Sequence, residues 1–268
     1  LSHGKHCSII DMSFELDQVL NLYKKKSETP LQTIERFVTA HPEYKGLKTT
    51  YAGRLDPMAE GVLIVLAGEK NKERDTYTAL DKDYEFEFVL GIETDTHDIL
   101  GKITNTKEIK SPNREEVENV LKKYHGKFQQ KYPAYSSKVV DGTPLFDIAR
   151  RGLLGTVVIP RHLVEVKNIE LAGEREISPR DFQKQIEESI NALTGDFRQR
   201  EILKLWDVYF GKSGLKKFVI YKAKITSSSG FYVRQLVSNI GHDLETGAIT
   251  TSILRTRVGE HDLTGSVK

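Results

Sequence analysis

Apolar residues recur along this chain at two different periods, and the places where the period changes mark its elements. Leu31, Ile34, Phe37 and Val38 share one face of a helix that opens at Thr29-Pro30-Leu31-Gln32. There Thr29 is a cap, Pro30 fits the first turn and Gln32 closes a capping box. Val117, Val120, Leu121 and Tyr124 repeat the helical spacing behind Ser111-Pro112, with Gly126 as the stop. Phe182, Ile186, Ile190 and Leu193 do so behind Ser178-Pro179-Arg180-Asp181, ahead of Gly195. A fourth helix is predicted over about 233–244.

Strands show the shorter period. Tyr84, Phe86, Phe88 and Leu90 alternate with Glu85, Glu87 and Val89. Further strands are predicted over 62–67, 163–171 and 218–225, and Thr156-Val157-Val158-Ile159 is short enough for an edge. Helices and strands mix without a βαβ rhythm. The prediction is α+β, a mixed and mostly antiparallel central sheet flanked by helices. With no strong repeat, low-complexity tract or obvious linker, residues 1–268 are read as one domain.

Composition changes this picture little. The chain is 38% hydrophobic and 29% charged, with a net charge of +2, as in an ordinary globular protein. Charge is informative only locally. Between Lys122 and Lys167 nine basic residues face three acids, a surplus of six. Such a lobe, about residues 127–162, is an electrostatic footprint for phosphate. One cysteine, Cys7, excludes an internal disulfide and a cysteine-based zinc site. His3 and His6 lie near it at the chain's start, where no metal site is expected. No apolar run reaches membrane-helix length and no signal peptide is evident, so the expectation is a cytoplasmic protein with no membrane partner.

The candidate chemistry centres on Tyr51-Ala52-Gly53-Arg54-Leu55-Asp56-Pro57-Met58-Ala59-Glu60-Gly61. Pro57 biases Asp56 toward an extended or turn backbone, and the flanking glycines allow close approach. A carboxylate is thereby held on a shaped loop beside an apolar strand. The loop is not a phosphate-binding P-loop, since its spacing and a Gly-Lys-Ser/Thr ending are missing. Arg234 falls near the start of a predicted helix, where the macrodipole disfavours a cation. A cation in that place serves a carboxylate or phosphate, unless it snorkels along the surface.

Five segments in order then resemble the TruB family of tRNA pseudouridine synthases. Gly53 to Leu63 matches Gly-x-Leu-Asp-Pro-x-Ala-x-Gly-x-Leu, and Lys82 to Thr96 matches Lys-x-Tyr with its Leu-Gly and Thr-Asp-Thr. Pro133 to Gly152, Gly230 to Leu236 and Arg255 to Gly259 match the remaining three. The resemblance implies the pseudouridine synthase fold and cofactor-free isomerisation of a uridine, position 55 in the T-loop of tRNA. It implies Asp56 as the essential carboxylate, Tyr84 as the active-site tyrosine and Arg234 as the partner of the aspartate. Substrate contacts are expected from Tyr51, Gly53, Arg54, Leu55, Tyr135, Tyr232 and Leu254. The segment 135–152 would form a mobile thumb over the RNA, with Lys131, Lys138, Arg150 and Arg151 on phosphate.

Three departures qualify the match. Tyr51 stands where the family commonly has His. The family's first motif survives only as Lys24 and Thr29. The stretch 170–214 is longer than expected. The chain ends nine residues after Gly259, so a form without the C-terminal PUA domain is expected. That form would act on the tRNA T-arm as a monomer, with no guide RNA, no cofactor and no metal. The rival reading is a non-catalytic chaperone that binds and folds tRNA. It would keep the basic lobe without needing Asp56, Tyr84 and Arg234 together.

Overall fold

In chain order, β1 (Val19–Lys24) leads into α1 (Pro30–Ala40), with the cap read from the sequence. The Thr29 hydroxyl accepts from the Gln32 amide at 3.2 Å, and the Gln32 side chain accepts from the Thr29 amide at 2.7 Å. β2 (Thr49–Ala52) and β3 (Ala59–Ala67) pair antiparallel, and the connection between them carries Asp56. After α2 (Arg74–Ala79) come β4 (Lys82–Leu90) and a hairpin of β5 (Ile92–Thr94) and β6 (Ile103–Thr106). The computed structural model describes residues 17–108 and 112–268. His3, His6, Cys7 and Ser111 lie outside the described residues.

α3 (Arg114–Lys122) is capped by Asn113, not by the Ser-Pro pair read from the sequence. Asn113 and Glu116 form a reciprocal capping box that satisfies two otherwise free amides. β7 (Gly126–Lys131) then enters the basic lobe, which consists of β8 (Val139–Val140), β9 (Thr143–Pro144) and α4 (Leu145–Arg150). The edge strand predicted at 156–159 does not form. Leu154–Thr156 is a single tight turn, Pro160 follows Ile159, and Val158 is 88% exposed with no partner strand.

β10 (Arg161–Ile177) runs beyond the predicted strand into the stretch 170–214, which continues as α5 (Pro179–Asn191) and α6 (Gln199–Lys212). β11 (Phe218–Ser227), α7 (Val233–Asp243), β12 (Ala248–Val258) and β13 (His261–Asp262) complete the chain. The nine-stranded sheet runs β1-β3-β12-β4-β11-β10-β7, with β2 also on β3 and β13 on β12. All pairs are antiparallel except β12 with β3.

α7 lays Leu236, Val237 and Ile240 on the sheet, and Phe86 and Phe88 of β4 lie in the same core. α5 and α6 join that core through Phe182, Ile186 and Trp206, each fully buried. α6 escaped the sequence reading because it has no cap signature and only Ile202 and Trp206 fully buried.

Gly61 lies where β3 meets both β1 and β12, at φ +109°. A Cβ there would stand 2.2 Å from the Arg255 carbonyl oxygen. Gly61→Ala should therefore pry β12 from β3 and cost roughly 2–4 kcal/mol of unfolding free energy. Chemical denaturation at neutral pH checks this; an unchanged midpoint would refute the close approach.

Candidate active site

The Asp56 loop is held from below. Leu55 and Met58 are buried in the core, the Ser27 amide donates to the Pro57 carbonyl at 2.8 Å, and the Ala59 amide donates to the Asp56 carbonyl at 3.0 Å. Two buried cations brace it further. The fully buried Arg255 donates from Nε to the Val62 carbonyl (2.7 Å), from Nη1 to Arg54 (3.1 Å) and from Nη2 to Gly53 (3.3 Å). Lys24 Nζ donates to the carbonyls of Ala59 at 2.5 Å and Lys25 at 3.1 Å. Loop carbonyls that would otherwise be buried without partners are thus satisfied by charge-assisted bonds. The Asp56 side chain is left 35% exposed.

Arg234, the second residue of α7, is only 3% exposed and does not snorkel. Its Nε donates to Asp56 Oδ2 at 2.6 Å and lies 3.6 Å from Asp98 Oδ2. Nη1 donates to the Thr96 carbonyl at 2.6 Å and Nη2 to the Tyr135 carbonyl at 3.4 Å. A buried guanidinium at the positive end of a helix is costly alone, and two carboxylates and two carbonyls compensate it. Asp98 is itself buried. Its Oδ1 accepts from the Thr96 hydroxyl at 2.7 Å and from the Leu100 amide at 2.9 Å. Burial pushes its carboxyl up to about 6 against the pull of Arg234 and these two bonds.

Tyr84 stands on β4 opposite Arg255 of β12, 7% exposed, with Asp56 nearby. Burial raises its phenol above the ordinary range although Arg255 opposes this, so the ring is neutral. Burial and then Asp56 push Tyr232 up to about 12. Its amide and carbonyl are pinned by the buried Gln130 of β7, at 2.9 and 3.0 Å. Burial, then Arg234, lowers His97 to about 4, so it is neutral. Burial also lowers Lys24 to about 8, with Asp56 pulling the other way.

Asp56, Tyr84, Arg234 and Tyr232 therefore converge, with Gly53, Arg54 and Leu55 as the loop beneath them. Tyr135 joins through its carbonyl. Two expected residues do not converge. Tyr51 packs on the separate cluster around Leu20, Ile34 and Phe37, with Arg54 6.0 Å from its ring centroid. Leu254 pairs with Glu60 and Glu85, so strand alternation turns it away from Tyr84 and Arg255. Ile253 is the buried apolar residue on the Arg255 side.

Lys131, Lys138 and Arg151 are exposed on the basic lobe, and Lys138 Nζ lies 5.3 Å from the Tyr132 ring centroid. Arg150 is exposed as well and also donates to the Asp196 carbonyl at 3.3 Å. Sequence reasoning missed Asp98 and the bracing roles of Lys24 and Arg255. Asp98 stands two residues beyond the Thr94-Asp95-Thr96 match, and no local pattern tells which aspartate turns inward. Among the described residues no cluster of three His, Cys, Asp or Glu side chains is arranged to hold a metal ion, and no helix is long and apolar enough to cross a membrane.

Residues 41–189 match the family described as TruB family pseudouridylate synthase, N-terminal domain. The chain is 34% identical to tRNA pseudouridine synthase B of Fusobacterium nucleatum, over 82% of this chain and 61% of that protein. It is 29% identical to the protein of the same name from Bacteroides fragilis, over 93% and 89%. The chain thus spans less than two thirds of the first relative's length and most of the second's. Among solved structures it resembles a chain of an H/ACA RNP bound to a substrate RNA containing 2′-deoxyuridine, at TM-score 0.54 and 15% identity, over 94% of this chain and 50% of that one. A chain of a Cbf5-Nop10-Gar1 complex gives 0.54 and 16%, over 92% and 51%. These last two establish the fold alone.

The buried acid Asp98 yields a test. Carboxyl-carbon NMR should find it titrating near 6, above the ordinary carboxylate range. Its folded value exceeds its unfolded one, so its contribution to stability is full below about pH 4 and is lost as the pH rises through about 6. A midpoint below 4 would contradict the burial argument.

Proposed function

The chain belongs to the TruB family of pseudouridylate synthases, and from that premise we propose that it isomerises a uridine in tRNA to pseudouridine. The observation that carries the reading is the Asp56–Arg234 pair at 2.6 Å, with Tyr84 buried beside it, inside a fold shared with pseudouridine synthase relatives. The carboxylate is half-exposed, so a ribose can reach it, while its partner is inside and fixed.

The reaction breaks the glycosidic bond, turns the uracil and joins its carbon to the same ribose. Asp56 acts on the ribose side of this exchange. The neutral Tyr84 offers an aromatic face to the base. The base must leave its stack to arrive there, and the aromatic Tyr84 and Tyr232 near one carboxylate suit a flipped pyrimidine. Arg234 holds Asp56 in one rotamer, so its geometry is set before substrate binds.

The substrate we propose is the T-arm stem-loop, with the uridine at position 55 as target and this chain acting alone, without guide RNA or cofactor. Relatives named tRNA pseudouridine synthase B support tRNA as substrate. The exposed Lys131, Lys138 and Arg151 would bind the RNA backbone from the basic lobe, acting as a thumb.

Pseudouridine mapping of an unmodified tRNA transcript incubated with this protein alone should find modification confined to the T-loop uridine. Tight binding without pseudouridine would favour a chaperone instead. Asp56→Asn keeps an amide oxygen for Arg234 and should reduce turnover at least about a thousandfold while RNA affinity changes little. Substantial residual turnover would remove Asp56 from the chemistry. Lys138→Ala or Arg151→Ala should weaken binding and flatten its salt dependence by about one unit of slope each; an unchanged slope would place those side chains off the phosphates.

A further inference from the structure

Arg198 belongs to the stretch 170–214, not to any of the matched motifs, yet its side chain reaches the scaffold of the site. It precedes α6 in a left-handed conformation, φ +63° and ψ +25°, which is unfavourable for a residue with a Cβ. It provides no side-chain cap for the helix it opens. Its guanidinium is 20% exposed and turned to Asp95 and Tyr135. Nη1 donates to Asp95 Oδ2 at 2.5 Å and to the Tyr135 hydroxyl at 2.7 Å, and Nη2 lies 3.4 Å from Asp95 Oδ1. The Tyr135 hydroxyl in turn donates to Asp95 Oδ2 at 2.9 Å, and the guanidinium carbon stands 4.7 Å from the Tyr135 ring centroid.

The loop that delivers Arg198 is stapled by its own side chains. Gln199 accepts from the Phe197 amide at 2.9 Å and donates to the Gly195 carbonyl at 2.7 Å. Asp196 accepts from the Arg198 amide at 3.1 Å. The same loop meets α1 and the basic lobe, through Gln32 to Thr194 at 2.5 Å and Arg150 to Asp196 at 3.3 Å. Strain at Arg198 is therefore sustained by surrounding bonds, the situation in which an unfavourable backbone marks a functional constraint.

Of the two residues that Arg198 grips, one holds Arg234 through its own carbonyl and the other directly precedes a residue that does. Tyr135 supplies one of the two carbonyls on the Arg234 guanidinium, and Thr96, directly after Asp95, supplies the other. We propose that Arg198 is a positioning residue of the catalytic centre: it clamps Asp95 to Tyr135, so that the carbonyls of Thr96 and Tyr135 hold Arg234 against Asp56. α5 and α6 are then a buttress for the site as well as a cover for the sheet. The proposal rests on the reading of Asp56 as the reacting carboxylate.

The test is single-turnover pseudouridine formation on a tRNA transcript, with RNA affinity and melting temperature measured in parallel. Arg198→Ala should slow the chemical step roughly tenfold, as a small misplacement of a reacting group does, with RNA affinity within about twofold of wild type. Arg198→Lys should recover little, because one ammonium cannot reproduce the planar fork across carboxylate and hydroxyl. Asp95→Asn should slow the step similarly, and the double variant should be no slower than the worse single one. Tyr135→Phe removes only the shared hydroxyl and serves if Arg198→Ala does not fold. Its smaller loss should vanish in the Asp95→Asn background. Lys204→Ala, exposed on α6, is the control expected to match wild type.

A lowered melting temperature with an unchanged rate would make Arg198 a stabiliser of its own stretch only and overturn the proposal. Losses that multiply in the double variant would also overturn it. Wild-type protein that forms no pseudouridine would instead sink the Asp56 reading, and the positioning role with it. Active wild type beside an equally active Arg198→Ala would sink the positioning role alone.

Discussion

A guanidinium with 3% of its side chain exposed must be neutralised where it lies, and much of this structure can be understood as the means of neutralising Arg234. One carboxylate comes from the loop between β2 and β3, the other from the turn between β5 and β6, and the two carbonyls from that same turn and from the edge of the basic lobe. These elements are far apart in the chain. Arg234 touches all of them, so their mutual placement and the direction of Asp56 are set together.

Other buried cations repeat the device with backbone instead of carboxylate. Arg255, Lys24 and Lys82 bury their charges against backbone carbonyls: Gly53, Arg54 and Val62 for the first, Ala59 and Lys25 for the second, Thr78 and Leu80 for the third. A loop that must present a half-exposed carboxylate cannot bury its own polar backbone without such donors. Lys24 and Lys82 each lie close enough to Arg255 for their charges to interact, so these donors cluster under the Asp56 loop.

The stretch 170–214 shows how a segment outside the matched motifs reaches the scaffold of the site. α5 and α6 share the hydrophobic core with the sheet through Phe182, Ile186 and Trp206, which anchors them rigidly. A rigid segment can place one side chain with accuracy, and the side chain it places is Arg198. The near neutrality of the whole chain hides this division of labour, in which charges inside brace loops and charges on the lobe face solvent.

Periodicity and caps alone determined most of the elements: the alternating strand at Tyr84–Leu90, the capping box at Thr29, the Ser178 cap and the helix from Val233. Those signals are local, because a cap or an apolar stripe satisfies backbone and burial demands within a few residues. The motifs likewise singled out Asp56, Tyr84 and Arg234, and the tertiary structure brought them together. What only the tertiary structure decided were choices between equivalent local options. Asp98 turns inward against Arg234 while Asp95 turns to Arg198, three residues apart in a run of polar residues. The face of Ile253 and Arg255, not that of Leu254, lies with Tyr84 because the antiparallel pairing of β12 with β4 sets the register. Tyr51 packs on the α1 cluster. α6 begins at a strained arginine with no cap signature. Each of these depends on a partner distant in sequence, and long-range pairing leaves no periodic trace in the segment it acts upon.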